Sequence, residues 1–113
     1  MTDELEVTGA SRPGVENEVI AQSADMRFTL YSIEPGSQIP WHFHSEVSDW
    51  YICREGIFSV ETQSPGHVAT LNVGEMFQVP VRQIHRVINR GDGPCRFALV
   101  QGLGRYDFNP AEG

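Results

Sequence analysis

Turn-forming residues recur along this chain at intervals too short for helices of ordinary length. Pro35-Gly36, Glu55-Gly56, Pro65-Gly66, Val73-Gly74, Gly91-Asp92-Gly93-Pro94 and Gly102-Leu103-Gly104 punctuate the 113 residues. The segments between them, among them Met26 to Ile33, Trp50 to Cys53, Ile57 to Thr62, Phe77 to Val79, His85 to Ile88 and Phe97 to Val100, are short and often alternate apolar with polar side chains. They are rich in Val, Ile, Phe, Tyr and Trp, which fit a pleated, half-buried surface. No window sustains the i, i+3, i+4, i+7 apolar stripe of an amphipathic helix. Short strands joined by Gly/Pro turns predict an all-β sandwich or barrel.

The length suits one domain, large enough for a core without disulfide staples. Residues 1–17 are polar and acidic and read as an N-terminal arm, 18–108 as the β domain, and 109–113 as a loose tail. Two cysteines, Cys53 and Cys95, are no disulfide framework. A reducing cytoplasm is therefore expected. The acidic start, Met1 to Glu6, has no apolar stretch of the secretory kind. The longest apolar runs, such as Phe97 to Val100, fall far short of the roughly 20 residues of a membrane span. Fifteen acidic against eight basic side chains give a net charge of −7. That balance argues against nucleic acid and anionic membranes as partners.

The chemistry-bearing residues are few. Of four histidines, His42 and His44 are two apart in Trp41-His42-Phe43-His44. On a strand both imidazoles point to one face, and Trp41 and Phe43 to the other. His85 shares a face with Val87 and Asn89 in the run Ile84 to Asn89. Taken alone, the pair is equally well read as two hydrogen-bonded histidines, and His85 is more readily a satisfied core or surface residue than a ligand.

Their spacing joins them. Gly36 is followed by five residues, then His42-Phe43-His44, four residues, Asp49, six residues and Gly56. Further on, Gly74 is followed by five residues, then Pro80-Val81-Arg82, two residues, His85, three residues and Asn89. In order and spacing this resembles the two motifs of the cupin superfamily, over about half the chain. The resemblance implies a double-stranded β-helix, or jelly-roll β-barrel, that holds one divalent metal with His42, His44 and His85. Asp49 stands where the motif has Glu, and is a ligand or a base. Glu46, two residues beyond His44, is the rival carboxylate. Arg82 replaces the second motif's inner glycine, and is read as a solvated turn residue or a rim residue.

Three imidazoles and a carboxylate suit Fe, Mn, Ni, Zn, Co or Cu without selecting among them. Cupins with such sites include dioxygenases, isomerases and lyases as well as non-catalytic binding proteins, and fold alone does not choose among them. The resemblance therefore implies a metal-dependent enzyme for a small organic acid, phenol or sugar, with a metal- or metabolite-sensing module as the alternative. It also implies a homodimer. His67 reads as a surface turn residue, Cys53 as a buried thiol on the face of Asp49 and Tyr51, and Asn89 as a strand-end tie. Gln78 faces pocket or solvent, and residues 104–108 pack over a barrel mouth or a subunit contact.

Overall fold

A computed structural model describes residues 12–113. Ten strands follow one another: β1 (Val15–Gln22), β2 (Met26–Ile33), β3 (Gln38–Phe43), β4 (Ser48–Glu55), β5 (Phe58–Thr62), β6 (His67–Leu71), β7 (Met76–Val79), β8 (His85–Ile88), β9 (Cys95–Gly102) and β10 (Asn109–Pro110). They form two five-stranded antiparallel sheets, ordered β1-β2-β9-β4-β7 and β10-β3-β8-β5-β6. No helix occurs among the described residues.

Alternation builds the barrel. In β2, Arg27, Thr29, Tyr31 and Ile33 are buried while the residues between them are more open. In β4 the same holds for Asp49, Tyr51 and Cys53, and in β8 for His85 and Val87. The inward side chains divide by height. Tyr31, Tyr51 and Phe58 gather around Phe97, with ring centroids 5.1, 5.5 and 4.6 Å from it. With Ile33, Ile39, Val60, Val79, Val87 and Leu99 they make the apolar core. Above that layer the interior turns polar, with Arg27, Gln101, Asp49, His42, His44 and His85 all buried.

Gly36 and Gly74, which open the two motifs, have φ of +81° and +88°. Such left-handed backbone favours glycine. Arg82 also sits there, with φ of +67°, and is exposed.

Of the stretch read as an arm, residues 15–17 lie in β1 and residues 1–11 lie outside the described residues. The stretch read as a tail opens with β10, where Asn109 and Pro110 pair with Phe43 and His42.

Candidate metal centre

β3 and β8 run antiparallel with His42 opposite His85. His44 lies just past the end of β3 and turns inward with them. From the facing sheet, β4 presents Asp49. One ligand atom from each of these four residues lies within 4.8 Å of all the others, and all four are buried. His85 Nε2 is 3.0 Å and His44 Nε2 3.3 Å from Asp49 Oδ2. Bonds of about 2.1 Å to a common ion place neighbouring donors about 3 Å apart and opposed ones about 4 Å apart, so the cluster could hold a metal ion.

The hydrogen bonds fix how the imidazoles are aimed. His42 Nδ1 donates to Pro40 O at 2.7 Å, His44 Nδ1 to Asp107 O at 2.6 Å, and His85 Nδ1 to Gln83 O at 2.8 Å. A carbonyl oxygen only accepts, so each ring carries its proton on Nδ1 and turns an Nε2 lone pair to the interior. Lone pairs of His44 and His85 then face a carboxylate oxygen at contact distance. Acceptors so placed repel unless a cation or a proton lies between them.

The carboxylate is held from its other sides. Tyr51 Oη donates to Asp49 Oδ2 at 2.8 Å, and Gln101 Nε2 donates to Oδ1 at 3.0 Å. Burial favours the neutral acid, but His44 and His85 outweigh it and hold the Asp49 carboxyl well below its usual range. Burial also works against a charged His44, but Asp49 and Asp107 outweigh it and raise its pKa. His42 is lowered well below the imidazole range, first by burial and then by His85 and His44. Burial, then Asp49, pushes the Tyr51 phenol far up, so it stays a donor.

The segment after β9 closes the site. Phe108 stacks on His42, centroids 4.4 Å apart and planes 15° apart, and Tyr106 lies 5.5 Å from His44. Asp107 contributes its carbonyl to His44 and accepts from Ser45 N with Oδ1 at 2.9 Å. Residues 104–108 therefore lie over the end of the barrel that holds the four-residue cluster.

The other residues singled out fall as follows. Glu46 is exposed and accepts from Arg105 N, because β3 ends before His44 and its alternation does not reach position 46. Cys53 lies in the apolar core, away from the histidines, and donates to Gly56 O. Burial pushes both thiols up, that of Cys95 to about 11. His67 is exposed and stacks on Phe77, and Gln78 faces solvent. Asn89 is fully buried and bonds Ile33 O, Gly93 O and Gly91 N, tying β8 to two turns. Reading along the sequence missed Gln101 and Arg27, and it set Tyr106 and Phe108 over a barrel mouth or a subunit contact without naming the histidines they cover. Gln101 and Arg27 do carry a signal, since each is a polar residue at an inward position of an otherwise apolar strand.

A family model described as a cupin domain matches residues 29–101. The chain belongs to the cupin family. No curated protein matches it. Among solved structures it is similar to an uncharacterized conserved protein with a double-stranded β-helix domain from Klebsiella pneumoniae, at TM-score 0.78 and 24% identity over 89% of this chain and 82% of that one. It is also similar to KdgF from a Halomonas species, at TM-score 0.72 and 18% identity over 83% and 84%. A cupin-superfamily sugar phosphate isomerase from Silicibacter pomeroyi aligns at TM-score 0.68 and 22% identity, over 79% of this chain and 59% of that one. At these identities the likeness is one of fold.

Proposed function

We propose that this chain is a metal-dependent cupin enzyme acting on a small organic ligand, with His42, His44 and His85 binding the ion through Nε2 and Asp49 completing the set. One observation carries the reading. Three Nδ1–H donors bound to carbonyls aim three Nε2 lone pairs at one point beside an ionised carboxylate. Bound there, a divalent transition metal would supply Lewis acidity, a template for the ligand, or redox chemistry. Asp49 acts as a ligand rather than a general base, because a carboxyl held below its usual range is a weak proton acceptor. Tyr51 and Gln101 orient that carboxylate. Tyr106 and Phe108 limit water at the mouth.

The test is elemental analysis of tag-free protein with its His85→Ala variant. One equivalent of a transition metal is expected in the parent and a large loss in the variant. Full occupancy in His85→Ala would sink the assignment. Turnover is tested separately by incubating loaded protein with organic acids, phenols and sugars. Ligand recovered unchanged from the whole panel would favour a sensing module instead. We also infer a homodimer, on the cupin likeness alone, and light scattering that gave a monomer mass would remove it.

A further inference from the structure

The polar layer of the barrel contains a cation with no salt-bridge partner among the described residues. Arg27 is 2% exposed, yet its Nε, Nη1 and Nη2 have no hydrogen-bond partner among the described residues. It lies against the face of Tyr106, whose ring centroid is 3.9 Å from the guanidinium carbon. Stacking of this kind recovers part of the solvation lost on burial and leaves most of the five N–H donors unused. A buried, unpaired guanidinium is otherwise strongly disfavoured. On the same strand Thr29 Oγ1 is also buried without a hydrogen-bond partner among the described residues. Every one of these atoms can donate, and the nitrogens can only donate. The wall is built for a ligand of acceptors.

Its place in the fold says where that ligand would sit. Arg27 is opposite Gln101 in the β2–β9 ladder, and Gln101 is opposite Asp49 in the β9–β4 ladder. Arg27 therefore shares a cross-strand row with Asp49 of the cluster, their Cα atoms two strand spacings or roughly 10 Å apart. A cavity of about 210 Å³ lies beside it, bounded in part by Arg27, Gln101, Val47 and Tyr106. The guanidinium nitrogens are sealed from it, so the side chain must turn to meet a ligand there, and Gln101 and Tyr106 stand between the cavity and the four-residue cluster. Charge agrees with the donor pattern. Three neutral imidazoles, one carboxylate and a divalent ion leave a net positive site, and Arg27 adds to it.

We propose that Arg27 anchors the carboxylate of a small organic acid, held in this cavity with its other end toward His42, His44, His85 and Asp49. A flat carboxylate matches the two-pronged guanidinium edge. A phosphate can meet the same edge, and the titration below separates the two. The proposal selects one of the substrate classes left open above. It rests on the metal reading only for the ligand's far end.

The experiment is calorimetric titration of the full chain, both metal-stripped and Mn²⁺-loaded, with pyruvate, malonate, neutral malonamide and inorganic phosphate. Carboxylate binding is expected in both forms and tighter in the loaded one, with malonamide at least tenfold weaker. Arg27→Met should lose tenfold or more in carboxylate affinity with metal content unchanged. Its ligand-free melting temperature should hold or rise, because a buried unpaired charge has gone. Arg27→Lys, which keeps the charge and loses the fork, should fall between. Four results would overturn the proposal: no carboxylate heat up to about 10 mM, malonamide binding as well as malonate, phosphate binding tighter than both acids, or Arg27→Met binding malonate as the parent does. Should Arg27→Met not fold, the malonate–malonamide contrast in the parent still decides. A parent that takes up no Mn²⁺ but binds malonate through Arg27 would remove the metal reading and leave this one standing.

Discussion

Asp49 reaches the imidazoles although it is shorter than glutamate by one C–C bond, roughly 1.5 Å. What holds it in place is the pair Tyr51 and Gln101, each donating to a different carboxylate oxygen. Partners of this kind, outside the ligand set, typically carry a 10- to 100-fold effect on metal affinity. Tyr51→Phe should therefore weaken metal binding about tenfold with the fold intact, as read by competition with a chelator. Affinity equal to the parent's would show that Asp49 is positioned by the strand alone. A second prediction concerns Arg82, exposed and left-handed at φ +67° where the motif has glycine. A side chain there costs about 1–2 kcal/mol, so Arg82→Gly should raise unfolding free energy by about 1 kcal/mol in urea titrations. A lower value would mean that Arg82 holds the turn by contacts of its side chain.

Strand alternation made much of the architecture legible. Met26–Ile33 and His85–Ile88 are strands with the bounds that their side-chain pattern suggests, and Ile57–Thr62 is one residue longer than β5. β1 was less readable because Glu16 and Glu18, facing out from a sheet edge, depress the strand signal while protecting that edge. β6 and β10 were not readable. β10 is two residues long, and only its pairing with β3 defines it. The same holds for the site. His42, His44, His85 and Asp49 have a spaced pattern, whereas Tyr106 and Phe108 reach the histidines across 62 residues or more of chain, a proximity no local pattern encodes. That distant segment makes a prediction at its own scale. Phe108→Ala removes the ring stacked on His42 from a half-buried position, which should cost about 2 kcal/mol. It should also speed metal release to a chelator severalfold, measured by stopped flow. A stability loss with an unchanged release rate would make Phe108 a core residue and nothing more.

For the whole molecule, the buried charges set a pH dependence that differs between the metal-free and metal-loaded forms. Take first the metal-free protein. The carboxyls of Asp49, Glu61 and Asp107 lie below their usual range, so their contribution is present above the unfolded-state values of 3.8 to 4.5 and is lost as pH falls through the folded ones. For Asp49 the opposing pull on burial is overcome by His44 and His85, and for Glu61 by Arg90 and Arg86. His42 has a lowered pKa, so the unfolded chain takes up its proton first and stability falls as pH drops below 6.5. His44 has a raised one, so its contribution is complete below 6.5 and is lost as pH rises through the folded value. Acting together, these place the stability maximum near pH 6.5, with decline on both sides. A metal ion held by neutral imidazoles reverses the alkaline limb, because it needs His44 Nε2 free of the proton that this ring takes up beside Asp49 as pH falls. The rise in melting temperature on adding Zn²⁺ or Mn²⁺ should therefore grow from pH 5.5 to pH 8, and calorimetry in buffers of different ionisation enthalpy should register proton release near pH 6.5. Stabilisation that did not vary with pH, with no proton released, would mean that the ion binds elsewhere than among these four side chains.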